Sequence, residues 1–308
     1  MNTAQEGARR SLLWRKLRVD GVLIFVTMIW GSTFLLTKYT IQFTGPFTYL
    51  AYCFAIGALI LAGVFRRRLA HLTRVELRSG LVMGCLLFAG YALQTVGLQY
   101  TITSKAAFIT GLYIPLVPVF SIIFLRNRLS KEAMIGVVLS ALGLLLLSIN
   151  KDFNLVFGLG ELLLLGCAFA FALHIVCISK FVPHADAINL VIVQLCLTSV
   201  LSFIIAPLSH ESLLLPPSWQ IWGALIFMGV ADFAFCLTAM NWAQQFISST
   251  RATLIYACEP VWAGLIGTLV GQSLSLPAWI GGACICLGMI VSEIRLSARW
   301  KGGRERHG

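Results

Sequence analysis

Long apolar runs separated by short polar segments set the pattern of this chain. Ten such runs occupy residues 20–41, 45–65, 79–98, 104–125, 132–149, 157–179, 187–207, 219–240, 250–270 and 276–295. Each is long enough for a helix to cross a hydrocarbon core of about 30 Å, which takes roughly 20 residues. The runs are continuously apolar rather than alternating, and a helix satisfies its own backbone hydrogen bonds in lipid, so helices are predicted over barrel strands. Basic residues precede the first run, as they would a signal peptide. Its length, the Lys38 within it and the lack of a small-x-small cleavage site predict an uncleaved first helix instead. The expected fold class is an all-α membrane protein with ten transmembrane helices.

The runs repeat. Met83–Ser148 aligns without gaps on Met228–Glu293 at an offset of 145 residues, with 16 identities in 66 positions. Phe88-Ala89 meets Phe233-Ala234, Gln99 meets Gln244, Ser104 meets Ser249 and Pro115 meets Pro260, while Gly136 and Gly143 meet Gly281 and Gly288. A weaker echo sets Gly21 and the Trp30 region against Gly160 and the Phe169 region. Two five-helix units are therefore expected, at 19–150 and 151–296, between basic tails at 1–18 and 297–308. Internal repeats of membrane helices point to a transporter.

Composition agrees with the membrane reading: 58% of residues are hydrophobic and 11% charged, against roughly 25% charged in an ordinary soluble domain. The net charge of +11 sits in short segments between apolar runs, without an arginine-rich face interleaved with stacking aromatics, so nucleic acid is excluded as a partner. The nine cysteines all fall inside apolar runs, with neither zinc-site nor disulfide-framework spacing, and read as small buried hydrophobes. No metal site or cofactor is predicted. With the N-terminus inside, twenty Lys and Arg fall in cytoplasmic segments and only Lys38, Lys105 and Lys151 on the outer side. That bias predicts N-in/C-in topology, with the tails lying irregularly on the anionic inner leaflet. Five helices per unit is an odd number, so the second unit enters from the opposite face and the repeat is inverted.

Several motifs carry a family resemblance. The first run holds Trp30-Gly31-Ser32-Thr33-Phe34 followed by Lys38. Gln94-Thr95-Val96-Gly97-Leu98-Gln99-Tyr100-Thr101 leads into Ser104 to Tyr113, with Val117-Pro118 beyond; the sixth run has Ala172-Leu173-His174-Ile175-Val176, and Arg251-Ala252-Thr253-Leu254-Ile255 leads into Glu259-Pro260-Val261. In order, spacing and frame these resemble the EamA-like branch of the drug/metabolite transporter superfamily across residues 20–295. The resemblance implies a bacterial inner-membrane permease, most often an exporter of amino acids, metabolites or small toxic compounds. Two positions depart from the pattern: Cys53 stands where such proteins usually have an arginine, and Gln272 where a glutamate is usual.

Polar groups inside the runs are the candidates for chemistry. Asp232 and Glu259 sit mid-span, where a carboxylate costs about 2.5 to 3.5 kcal/mol on insertion scales and normally faces a water-filled cavity or a partner. For Glu259 a structural bond across the Pro260 break competes with a substrate or proton contact; Asp232 lies outside the family pattern, which points to this protein's own substrate. His174 is either a proton-exchange group or a hydrogen-bonded packing residue. Trp30, Tyr91, Gln94, Tyr113 and Tyr256 could wall an amphipathic pocket or simply pack. Pro115 and Pro118 in the fourth run and Pro260 in the ninth free backbone carbonyls at matching depths, which points to a site lined by Thr110, Gly111 and Tyr113 on one side and Tyr256 and Glu259 on the other; static kinks are the alternative. Gly136, Gly143, Gly281 and Gly288 read as a close-packing seam, with a homodimer face as the alternative.

The function expected is an alternating-access secondary transporter for a small-molecule substrate, embedded in the lipid bilayer as monomer or homodimer, with a proton able to occupy the same carboxylates. It is not expected to be an enzyme: no Ser-His motif, HExxH or twin-aspartate signature supports an intramembrane hydrolase. A non-transporting sensor or assembly protein is expected to carry a soluble domain, for which the runs leave no room.

Overall fold

The computed structural model describes residues 2–101, 103–126, 129–148, 158–213, 218–269 and 276–302. Lys151, Gln272 and the boundary expected at 150/151 lie outside the described residues. Among those residues helix is the only regular structure. In chain order we label α1 Asn2–Thr44, α2 Pro46–Val64, α3 Arg74–Tyr100, α4 Thr103–Thr110, α5 Tyr113–Leu125, α6 Lys131–Ser148, α7 Leu159–Phe181, α8 Ala187–Leu208, α9 Trp219–Ala243, α10 Ser249–Tyr256, α11 Glu259–Leu269 and α12 Leu276–Gly302. Among the described residues, seven helical stretches are long and apolar enough to cross a membrane: Leu17–Thr44, Pro46–Val64, Arg74–Tyr100, Ala106–Leu125, Leu159–His184, Ala187–Leu208 and Trp219–Ala243, with Trp279–Val291 as a shorter apolar helix. Of the other expected spans, 132–149 is helical over Lys131–Ser148, and 250–270 is divided into Ser249–Tyr256 and Glu259–Leu269. The tail expected to be irregular is helical from Asn2 and continuous with α1, since nothing between it and the first span breaks a helix.

The two interruptions fall where the prolines predict, one turn earlier in the chain. A proline removes its own amide and crowds the carbonyl four residues back. Four residues before Pro115 is Gly111, and four before Pro260 is Tyr256. The helix stops there: the amides of Leu112 and Cys258 bond three residues back, to Ile109 at 3.1 Å and Ile255 at 3.0 Å. The chain then resumes as α5 and α11. Pro118, by contrast, is carried inside α5.

A third irregularity is invisible in the sequence. Within α9, Met228–Cys236 forms a π-helical stretch, a rare geometry that occurs frequently at functional sites, and Asp232 sits at its centre.

Glycines set the closest approaches, as expected where lipid supplies no hydrophobic drive between helices. A Cβ on Gly143 would lie 2.5 Å from the Gly281 carbonyl, and one on Gly288 2.7 Å from the Gly136 carbonyl. The four repeat-related glycines thus form a seam between α6 and α12 inside one chain. Gly31 plays the same role between α1 and α11, and Gly57 and Gly229 between α2 and α9. At the α1–α2 turn Gly45 has φ of 81°. There Glu211, from the loop after α8, receives the amides of Phe47 at 3.1 Å and Thr48 at 2.8 Å, capping α2 from 163 residues away.

Candidate functional site

The π-helical stretch, the α10–α11 break and the α4–α5 break converge on one cavity, with about 730 Å³ of empty space including its mouth. Each wall is one helical face. Trp30, Thr33, Phe34 and Thr37 come from α1 at spacings of three and four; Leu87, Tyr91, Gln94, Thr95 and Leu98 do the same on α3. Thr110 and Tyr113 flank the first break, Phe171, His174 and Ile175 come from α7, and α9 and α11 supply Asp232, Phe233 and Glu259. Both sequence halves therefore contribute.

Asp232 is buried, and its Oδ1 accepts a hydrogen bond of 2.8 Å from Trp30 Nε1. This bond joins residues 202 positions apart and ties α1 to the π-helical turn. Cys53 and Tyr49 of α2 lie within electrostatic reach of the same carboxylate. The Tyr113 hydroxyl faces the half-buried Glu259, and the two carboxyl groups are near enough to feel each other's charge. Tyr91 anchors an aromatic cluster, meeting Phe54, Phe171 and Phe233 edge-on at 5.1 to 5.2 Å, while Phe54 and Phe233 stack at 4.0 Å. His174 Nε2 and Gln194 Oε1 share a hydrogen bond of 2.7 Å, and Gln194 Nε2 donates to the Leu190 carbonyl, so α7 and α8 are joined behind the cavity wall.

Of the sequence candidates, the structure brings Trp30, Tyr91, Gln94, Thr110, Tyr113, His174, Asp232 and Glu259 to this cavity. Gly111 lies off it, in a small pocket with Ala107, Pro260 and Ala263. Tyr256 is fully buried away from the lining and packs edge-on against Trp30 at 5.3 Å, because the break directs Glu259, rather than the residue three before it, toward the cavity. The sequence reading missed Phe34, Thr37, Tyr49, Phe171 and Phe233. The α1 and α3 members were within reach, since they follow the faces already marked by Trp30 and Tyr91 at helical spacing.

Polar links tie the helices together at one end of the bundle. Arg251 at the start of α10 pairs with Asp20 of α1, both Asp20 oxygens lying 2.9 Å from Nη2. Ser179 Oγ donates to Gln244 Oε1 at 2.7 Å. At the same end Arg68 pairs with Asp186 at 3.0 Å, and the Asp186 amide donates to Glu76 at 3.0 Å, joining the α2–α3 and α7–α8 connections.

A bundle of apolar helices around an internal cavity lined by both halves defines a multi-pass membrane transporter. The sequence model of the EamA-like transporter family matches residues 18–149 and again 158–293; the chain belongs to that family. Among similar proteins, an uncharacterized transporter of Archaeoglobus fulgidus is 29% identical over 285 residues, spanning 92% of this chain and 88% of its own length. The uncharacterized transporter YyaM of Bacillus subtilis is 26% identical over 298 residues, at 91% and 94%. One solved crystal structure superposes with a TM-score of 0.75 at 19% identity, over 89% of this chain and 97% of that one, a likeness of fold.

Proposed function

We propose that this protein is an inner-membrane secondary transporter that moves a small metabolite or drug-like solute by alternating access, with both termini in the cytoplasm. The observation that carries the reading is a cavity built from both halves, in a bundle whose helices are tied at one end by Asp20–Arg251 and Ser179–Gln244. The units 19–150 and 151–296 would be the inverted repeats, whose two near-equivalent packings give one opening to each side. The distribution of Lys and Arg supports the orientation, placing the tied end inward.

In this cycle Asp232 and Glu259 carry the chemistry, by holding either solute or a proton. Trp30 fixes the Asp232 carboxylate, Tyr113 faces Glu259, and the breaks at Gly111–Leu112 and Ala257–Cys258 are the points about which the half-helices turn. His174, held by Gln194, supports the wall. The test is uptake of radiolabelled solutes into proteoliposomes. Saturable uptake lost in Asp232→Asn and Glu259→Gln, with folded protein retained, is expected. Wild-type uptake by both folded variants would dispose of the carboxylate mechanism.

A further inference from the structure

The transport reading leaves the solute class open, and the following rests on that reading. Among the described residues lining the cavity the carboxylates of Asp232 and Glu259 are the charged side chains, with no lysine or arginine beside them. Cations near the two ends are engaged elsewhere: Lys38 Nζ donates to the Thr101 carbonyl at 2.7 Å, and Arg251 is held by Asp20. Asp232 is 2% exposed, yet among the described residues it accepts a single hydrogen bond, at Oδ1, and Oδ2 accepts none. A carboxylate at this depth is costly without a partner charge, and here the protein supplies a neutral N–H only.

The surrounding surface selects what could provide that charge. Trp30, Phe34, Tyr91, Tyr113, Phe171 and Phe233 line the same cavity as the two carboxylates. Aromatic faces attract an ammonium group, the more strongly where it is desolvated, and they cover an apolar body. A solute bearing its own carboxylate would instead meet two acids and no cationic donor. We infer that the cavity takes an organic cation, an amine with an apolar body and no carboxylate. Its ammonium group sits on Asp232 Oδ2, and its body lies against Phe34, Phe171 and Phe233.

The test uses the purified full chain and two series, each sharing one apolar body and differing in its charged groups: phenethylamine, phenylalanine and 3-phenylpropionate, and pentylamine, norleucine and hexanoate. Selective binding raises thermal stability. At least one amine should stabilise the protein with an apparent affinity tenfold or more above that of its zwitterion, and the anions should do nothing. Asp232→Asn should abolish the shift while Asp232→Glu retains part of it; should Asp232→Asn fail to give a monodisperse protein, Glu259→Gln, expected to weaken the amine tenfold, takes its place. Equal or better binding of a zwitterion or anion, silence from both amines, or an undiminished shift in the neutral variant would overturn the inference. Amine binding without uptake would spare this inference and sink the transport reading, whereas uptake of phenylalanine without amine binding would do the reverse.

Discussion

Trp30 donates the hydrogen bond that holds Asp232 at the cavity, and its strength can be bounded. A hydrogen bond to a charged group contributes about 1.5 to 3 kcal/mol in soluble proteins, but side-chain bonds between membrane helices average about 0.6 kcal/mol. The lower figure applies, since the unfolded chain in lipid also finds partners. Trp30→Phe, which removes the donor and keeps a ring, is therefore expected to lower stability by less than about 1 kcal/mol while reducing solute binding severalfold. Thermal melts and binding on the same preparation check this, and a collapse of stability with binding intact would make the bond structural. Tyr256, buried behind Trp30, gives the complementary case. A cysteine at Tyr113 should be shielded from thiol reagents by solute, and one at Tyr256 should react equally with or without it.

At the level of helices, the glycine approaches and proline breaks make opposite demands on substitution. A Cβ on Gly31 would lie 2.8 Å from the Ala263 amide nitrogen and 2.9 Å from the Glu259 carbonyl oxygen, both backbone atoms, whereas Gly21 and Gly63 have nothing within 4 Å. Gly31→Ala should thus cost about 1 to 3 kcal/mol through overpacking and displace the start of α11 that carries Glu259. Gly21→Ala and Gly63→Ala, relieved of glycine's helix penalty of about 1 kcal/mol, should be neutral or stabilising. Denaturation midpoints of the three proteins decide it. Pro260→Ala restores an amide at the break and should slow exchange more than it weakens equilibrium binding; equal losses in the two would return the proline to a static kink.

The all-helical class and both breaks were legible in the sequence because long apolar runs favour helices and each proline names the carbonyl it frees, although seven of the ten expected spans are found long and apolar enough among the described residues. The seam of Gly136, Gly143, Gly281 and Gly288 was legible for the same kind of reason, a fixed spacing repeated twice. The π-helical stretch around Asp232 has no such signature: Met228–Cys236 is as apolar as its neighbours, and only packing against α2 through Gly229 and Gly57 gives its geometry a context. The Trp30–Asp232 bond and the long-range cap from Glu211 were equally hidden, since periodicity identifies which residues share a face but not which faces meet.

For the whole molecule, the charge bias and the polar links make separable claims. If the Lys- and Arg-rich segments are cytoplasmic, as proposed, an exposed Ala70→Cys should resist an impermeant thiol reagent in intact cells and an exposed Ser212→Cys should react, against the unmodified chain as blank. The reverse pattern would invert the orientation. The tied end is the more demanding claim. Arg251 is largely buried and Asp20 about a third exposed, with side-chain accessibilities of 9% and 29%, so water screens the pair only in part. If the pair holds one of two interconverting packings, removing it shifts the population toward the inward-open form rather than unfolding the protein. Asp20→Asn should then raise the reactivity of a cysteine placed at Thr253, which is 1% exposed here, toward reagent applied from the cytoplasmic side, with the melting temperature little changed. Exchanging the charges, Asp20→Arg with Arg251→Asp, should restore the shielding. A pair that merely staples α10 to α1 predicts the opposite: a lower melting temperature in the single variant and no gain in labelling of the protein that remains folded.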